Sequence, residues 1–304
     1  MSRLLCGLLW LSALGLAAEP KVVVFIPGSR SHGFGTHEHR AECLLLAKAL
    51  NEGVSGLRAV VATKKQAASL LPKAAAVVID CDGGAVAFLG PLADEVDKLA
   101  RRGGGVACIH YALVAPKGPQ GKRMLDWIGG YYEPHWSVNP MWEANFKSLP
   151  RHPITRGVRP FRIRDEWYYH MRFLEGMKGV TPILTAIPPD ATRKRPFGAH
   201  SGNPAVRARM GMPEHVAWAY QRPGGGRGFG FTGGHFHWNW AHDDFRRLVL
   251  NAVVWIAGLE VPEGGVDSKT PTVDDLLANL DEPRPKNWSP DPLARLLREW
   301  KSGR

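Results

Sequence analysis

The sequence predicts an α/β protein built on a mostly parallel sheet. Two observations predict it. Apolar, largely β-branched runs that read as buried strands recur at residues 21–27, 57–62, 74–79 and 106–109. Helical patterns separate them, and strands alternating with helices form βαβ units with a parallel sheet. In such sheets ligands bind beyond the carboxyl ends of the strands. Two segments should therefore meet in space: the loop after the first strand, residues 28–39, and the end of the fourth strand at His110.

The elements follow in order. KVVVFIP, residues 21–27, is a continuous strand run, and a polar loop, GSRSHGFG, comes after it. Thr36 is placed to cap a helix over 37–51, with Cys43, Leu44, Ala47 and Leu50 on one face. Residues 57–62 and 74–79 are the second and third strands, and 89–102 reads as an amphipathic helix. GGGVACIHYAL then brings the fourth strand to His110 at a strand-to-helix elbow, where several α/β enzymes carry a Ser or Cys nucleophile. From 115 to 225 Pro, Gly and Arg are frequent, and this stretch reads as short strands and loops covering the carboxyl edge. A late strand at 228–232 leads into GGHFHWNWAHDD and a strong amphipathic helix over 245–256, ended by Gly258.

Composition sets outer bounds. The chain has 304 residues, 44% hydrophobic and 22% charged, enough for one large core or two modest ones. Arg3 followed by the apolar run 4–16 and by Ala17 and Ala18 has the form of a cleaved secretory signal over 1–18. The run is short for a bilayer span, so the expectation is an exported protein, periplasmic or extracellular, without a stable membrane anchor. The folded domain is expected over 19–259, with a Pro-rich tail over 260–304 whose residues 293–300 form a short docking helix. Cys43, Cys81 and Cys108 remain after the signal; buried free thiols are expected, with a Cys81–Cys108 pair as the alternative. The formal charge of +11 is scattered over the chain. No helix concentrates it, and no nucleic-acid partner is expected.

The chemistry concentrates in histidines. His32, His37 and His39 follow the first strand, His110 ends the fourth, and His135 lies in YYEPHW. Glu166 and His170 lie in DEWYYH, and His235 and His237 form an H-x-H after the late strand. Imidazoles with a carboxylate at one mouth can hold a divalent metal or move protons near neutral pH. His110, His135, Glu166, His235 and His39 are the expected metal set, with zinc the expected ion. His110, His237 and Glu166 are the expected catalytic groups, and His32 is expected at the substrate. His37 reads as a solvated residue, His152 as a turn residue, His170 as a core histidine bonded to backbone, and His200, His215 and His242 as surface groups. Trp136, Trp167 and Trp238 offer flat apolar faces for a sugar ring, or else fill the core beneath long loops.

Taken together and in this order, KVVVFIPGSRSHGFGTHEH, GGGVACIH, GGYYEPHW, HPIT, DEWYYH and GHFHWNWAHDDFRRLVLNAVVWIAG resemble the ThuA-like (trehalose utilisation) family over roughly 21–259. The resemblance implies a class I glutamine amidotransferase-like fold, a flavodoxin-like three-layer sandwich. It also implies a link to disaccharide catabolism. Amidotransferases of that fold use an elbow Cys and a late His-Pro-Glu; here His110 and His237-Trp238-Asn239 stand instead, so no Cys-triad glutaminase is expected. The expected activity is metal-assisted processing of a disaccharide or a 3-keto glycoside, by elimination, hydrolysis or isomerisation. A carbohydrate-binding module without turnover, and an amide or peptide hydrolase with a different nucleophile, are the competing readings.

Overall fold

The computed structural model describes residues 19–302. The expected signal over 1–18 lies outside the described residues. Among the described residues eleven strands occur in chain order: β1 (Lys21–Pro27), β2 (Leu57–Val61), β3 (Ala76–Asp80), β4 (Gly105–Ile109), β5 (Gly130–Tyr131), β6 (Trp142–Phe146), β7 (Phe161–Asp165), β8 (Arg172–Phe173), β9 (Val180–Ala186), β10 (Glu214–Gln221) and β11 (Arg227–Phe231). Seven form the central sheet in the order β2-β1-β3-β4-β11-β10-β9. The first five are mutually parallel; β10 pairs antiparallel with β11, and β9 pairs antiparallel with β10.

Both faces of the sheet are covered, as the unbroken apolar strands require. Successive side chains point to opposite faces. Val23 and Phe25 join one core cluster with the helices His39–Gly53 and Asp243–Ile256. Val24 and Ile26 join a second cluster with the helices Ala93–Arg101 and Pro119–Ile128. This is the three-layer α/β arrangement expected.

Three expectations change. Residues 115–225 are more than a cover: they supply β9 and β10 of the main sheet. The signal was masked because β9 carries Pro182, tolerable only on the sheet's edge, and the β9–β10 register shifts twice near Ala217. The helix expected over 89–102 is broken at Gly90-Pro91 and resumes at Ala93. Thr36 caps nothing: its hydroxyl donates to the Gly33 carbonyl at 2.6 Å, and the helix starts two residues beyond, after Glu38.

The tail docks. Val261 and Val266 are buried in the first core cluster. Leu276 and Leu293 bury against Ala241, with Trp288 and Trp300 packed beside them. The helix Asp291–Ser302 contains the predicted docking segment. Arg30 pairs with Glu282 at 3.3 Å, the Asp281 amide donates to Glu38 at 2.8 Å, and the Trp288 ring meets Phe34 at 5.3 Å. Cys43, Cys81 and Cys108 are buried free thiols; Cys81 and Cys108 do not pair. Among the described residues no helix is long and apolar enough to cross a membrane.

Candidate functional site

From β1 the chain steps outward to β2, then returns past β1 to β3. The carboxyl ends of β1 and β3 therefore flank a switch point, where a crevice is expected. The loop after β1 places His37 there, the turn after β3 places Asp82, and the end of β4 places His110. Glu166 comes from the turn after β7, and His235 from the turn after β11.

The donor atoms converge. His37 Nε2 lies 2.8 Å from His235 Nδ1 and 3.1 Å from His110 Nε2. Glu166 Oε2 lies 3.4 Å from both His110 Nε2 and His235 Nδ1. These four side chains form a cluster that could hold a metal ion, each offering one ligand atom within 4.8 Å of the others. Roughly 3.3 Å separates the donors of an ideal tetrahedral zinc site, so the observed spacings fit with small adjustments.

The surroundings decide which nitrogens face inward. His37 Nδ1 meets Asp82 Oδ1 at 2.6 Å, and His110 Nδ1 meets the Thr232 carbonyl at 2.8 Å. Carbonyls and carboxylates only accept, so each Nδ1 carries the hydrogen and each neutral ring presents its Nε2 lone pair to the other. Two lone pairs 3.1 Å apart repel unless a proton or a cation lies between them. The residues present therefore fit a cation.

Charge and burial agree. Burial pushes His37 down to about 4, against the raising effect of Asp82, and His110 lowers it further. His110 is also fully buried, which lowers its pKa, but Glu166, Asp165 and the Thr232 carbonyl together outweigh burial and the net shift is upward. Burial would raise Glu166, yet His110 and His235 hold it down at about 2. The carboxylate that retains a proton on His110 attracts a cation to the same atom, and the two compete.

Backbone geometry carries a cost here. His37 and His110 have φ of 50° and 51°, the left-handed region that non-glycine residues rarely adopt. Asp165 holds the surrounding turns together. It accepts from the Gly234 and His235 amides at 2.8 and 3.1 Å, from the Glu166 amide at 2.8 Å and from the Asn239 side chain at 3.0 Å. The turns bearing Glu166 and His235 are thus one unit. Tyr168 stacks on His110 with ring centroids 4.5 Å apart, its hydroxyl 3.1 Å from Nε2. Tyr132 packs on Tyr168, and half-exposed Tyr111 turns toward His37 at 6.2 Å.

A family model described as ThuA, trehalose utilisation, matches residues 21–256. The chain is a member of the ThuA family. Two solved structures share the fold of this ThuA-family protein. A putative ThuA-like protein from Bacteroides uniformis is 15% identical with a TM-score of 0.55, the alignment covering 80% of this chain and 94% of that one. Another from Parabacteroides merdae is 14% identical with a TM-score of 0.53, covering 85% and 99%. A search of curated sequences gives no match.

In this ThuA-family chain the structure brings His110, Glu166 and His235 together, with His32 beside them. His32 is exposed, stacked on His37 with ring centroids 3.6 Å apart, and 3.6 Å from Asp82. Other residues fall elsewhere. His37, read as solvated, is 2% exposed and central, because its loop folds back over the sheet edge. His39 lies behind the cluster, 2.7 Å from Asp80 and 3.3 Å from Asp82, and is not part of the ligand group. His135 is an exposed residue on the rim near Phe197. His237 faces away from the mouth and donates from Nε2 to the Leu276 carbonyl at 3.0 Å. Trp167 is wholly buried among Phe146, Phe231 and Phe245, not at a substrate surface. Trp136 lies between His170 and the Arg172 guanidinium, and Trp238 packs over Gly35 toward Phe34 and Trp288. His170 is the expected core histidine, bonded to the Trp136 carbonyl at 2.9 Å. His200, read as surface, bonds Tyr132 at 2.8 Å. Sequence reasoning passed over Asp82, Asp165 and Tyr168; IDCDGG at the end of β3 was the available signal for Asp82, since it sits at the carboxyl edge.

His237 yields a prediction. Burial pushes its pKa from 6.5 to about 4, with the Leu276 contact opposing. Unfolded, the ring takes up a proton over that interval. Its contribution is therefore complete above pH 6.5 and is lost as the pH falls toward 4; the linkage is worth about 3 kcal/mol at most. Denaturant melts of His237→Gln against pH should show a shallower acid loss than the unsubstituted protein; an unchanged slope would exclude the assignment.

Proposed function

We propose that this ThuA-family protein is a metal-dependent enzyme that processes a sugar, with an oxidised, 3-keto glycoside as the substrate class. One observation carries the reading: His37 Nε2 and His110 Nε2 face each other 3.1 Å apart, beside Glu166. His37, His110, Glu166 and His235 would hold the ion, and zinc suits a set of three imidazoles and a carboxylate. A bound divalent ion would supply Lewis acidity toward the ketone oxygen.

The chain's own groups supply the rest. His32 is exposed at the mouth, with Nδ1 2.6 Å from Ser31 Oγ and near Asp82, and is placed to accept a proton. In an elimination, the C2–H bond breaks toward His32, its electron pair forms C1=C2, and the C1–O bond breaks. Tyr111 gives a proton to the departing oxygen; burial first, then Asp82 and Glu166, raise its phenol, so it stays a donor. Water then adds across C1=C2, completing a net hydrolysis. Family membership supports a sugar, and half-buried Tyr111 beside the cluster suits its C–H faces, with Tyr132 and Tyr168 buried beneath.

The test is product release from 3-keto disaccharides, with and without a chelator. Turnover that stops with chelator and returns on adding zinc is expected. Tight sugar binding without turnover by zinc-loaded protein would replace the enzyme by a binding module.

A further inference from the structure

Behind the ligand cluster lies a second row of charged side chains, of which the proposed chemistry uses only Asp82. Asp80 ends β3, and Asp82 stands two residues on. Between their carboxylates sits His39, in the first turn of the helix His39–Gly53, 2% exposed. Its Nδ1 meets Asp80 Oδ1 at 2.7 Å, a hydrogen bond. Its Nε2 meets Asp82 Oδ1 at 3.3 Å, an ion-pair contact, and has no other partner among the described residues. That Asp82 oxygen is the one that accepts from His37 Nδ1 at 2.6 Å. Asp80, His39, Asp82 and His37 therefore form one unbroken row from a sheet strand to the cluster.

The row has a direction. Carboxylates only accept, so Nδ1 donates to Asp80, and the ring faces Asp82 with Nε2 as its ion-pair partner. Glu42, fully buried beside Asp80, does not compete for it: neither of its carboxyl oxygens has a hydrogen-bond partner among the described residues, and burial first, then Asp80, push its carboxyl well above the usual range. Without a donor at His39, the Asp82 carboxylate, which is 19% exposed, would turn toward the mouth, where His32 lies 3.6 Å away.

We propose that His39 is a positioning residue: held by Asp80, it fixes Asp82, which in turn fixes the hydrogen of His37 on Nδ1 and aims the Nε2 lone pair at the ligand cluster. The proposal rests on the metal reading for its purpose, but not for its geometry. It reassigns a histidine expected to bind metal directly, and it gives a buried charged row a task that packing alone does not require.

The experiment compares the full-length protein with His39→Leu and His39→Gln. Nitrogen NMR of the metal-free proteins reads which His37 nitrogen carries the hydrogen, and calorimetric titration with zinc reads affinity. In the unsubstituted protein the hydrogen is expected on Nδ1. In His39→Leu the two tautomers should mix and zinc affinity should fall roughly tenfold, the low end for a group supporting a ligand from outside. His39→Gln keeps a donor for one carboxylate only and should fall between the two; it decides the matter if the Leu variant does not fold. A folded variant with the original His37 tautomer and the original zinc affinity overturns the proposal. If the unsubstituted protein takes up no zinc, the metal reading falls, and the tautomer alone decides this one.

Discussion

His110→Ala is expected to purify folded, free of metal and without turnover. The imidazole sits where two ligand pairs meet: its Nε2 faces His37 at 3.1 Å and Glu166 at 3.4 Å. Removing it takes one of four donors and leaves Glu166 with a single imidazole neighbour, His235. Metal sites of this kind do not survive the loss of a ligand at ordinary zinc concentrations. The fold should survive, since position 110 contributes no strand pairing and ends at the sheet's carboxyl edge. The cost is a cavity beneath Tyr168 and an alanine at φ 51°, together a few kcal/mol. The measurement is metal content by mass spectrometry on protein made without a polyhistidine tag, beside a thermal melt. About one ion per chain in the unsubstituted protein and none in the variant is expected. Equal metal in both would remove His110 from the ligand set.

Trp167→Ala should be the most damaging single truncation for stability, with a loss of about 3–5 kcal/mol. The indole is 0% exposed, sits edge-on to Phe146 and Phe231, and donates to the Ile163 carbonyl at 3.2 Å. A Cβ on Gly233 would come within 2.7 Å of the ring, so that turn is shaped around it. Because Trp167 follows Glu166 and underlies the turn leading to His235, the cavity would also loosen two ligands. Chemical denaturation reads the first effect. The second should appear as weaker metal retention without any change in which sugars bind, since the indole touches no substrate surface. A loss under 1 kcal/mol would contradict the packing described.

The sheet was legible because its strands are buried on both faces and so read as unbroken apolar runs; KVVVFIP and GVACI appear with boundaries right to within a residue. β9 and β10 were not, because an edge strand with a proline and a shifted register lacks that pattern. The site was legible by its histidines but not by their roles. His110 follows a strand and had to face the edge. His37 and His39 lie two apart at the start of a helix, and only the turn at φ 50° decides that the first enters the cluster while the second lies behind it. His235 and His237 divide the same way: a short helical turn follows His235, and the H-x-H does not stay extended. Trp167 looked like Trp136 in sequence, since core and rim tryptophans differ only in the tertiary packing around them. Asp165 and Asp82 act through backbone amides and a ring hydrogen, contacts that residue spacing does not encode.

The docked tail has a consequence for the order of events in synthesis. His37 lies on a loop made early, yet that loop is pinned by Glu282, Trp288 and the Asp281 amide, which are made much later. His237, in the turn that holds His235, is tied to Leu276 in the same late segment. Long-range contacts of this kind close last. A nascent chain can build the parallel sheet before that segment is available, and the loop that bears His37 gains these contacts only afterwards. The same dependence makes the tail a point of attack: a protease that cuts between residues 280 and 290 would loosen the hold of Glu282 and Trp288 on the loop that bears His37.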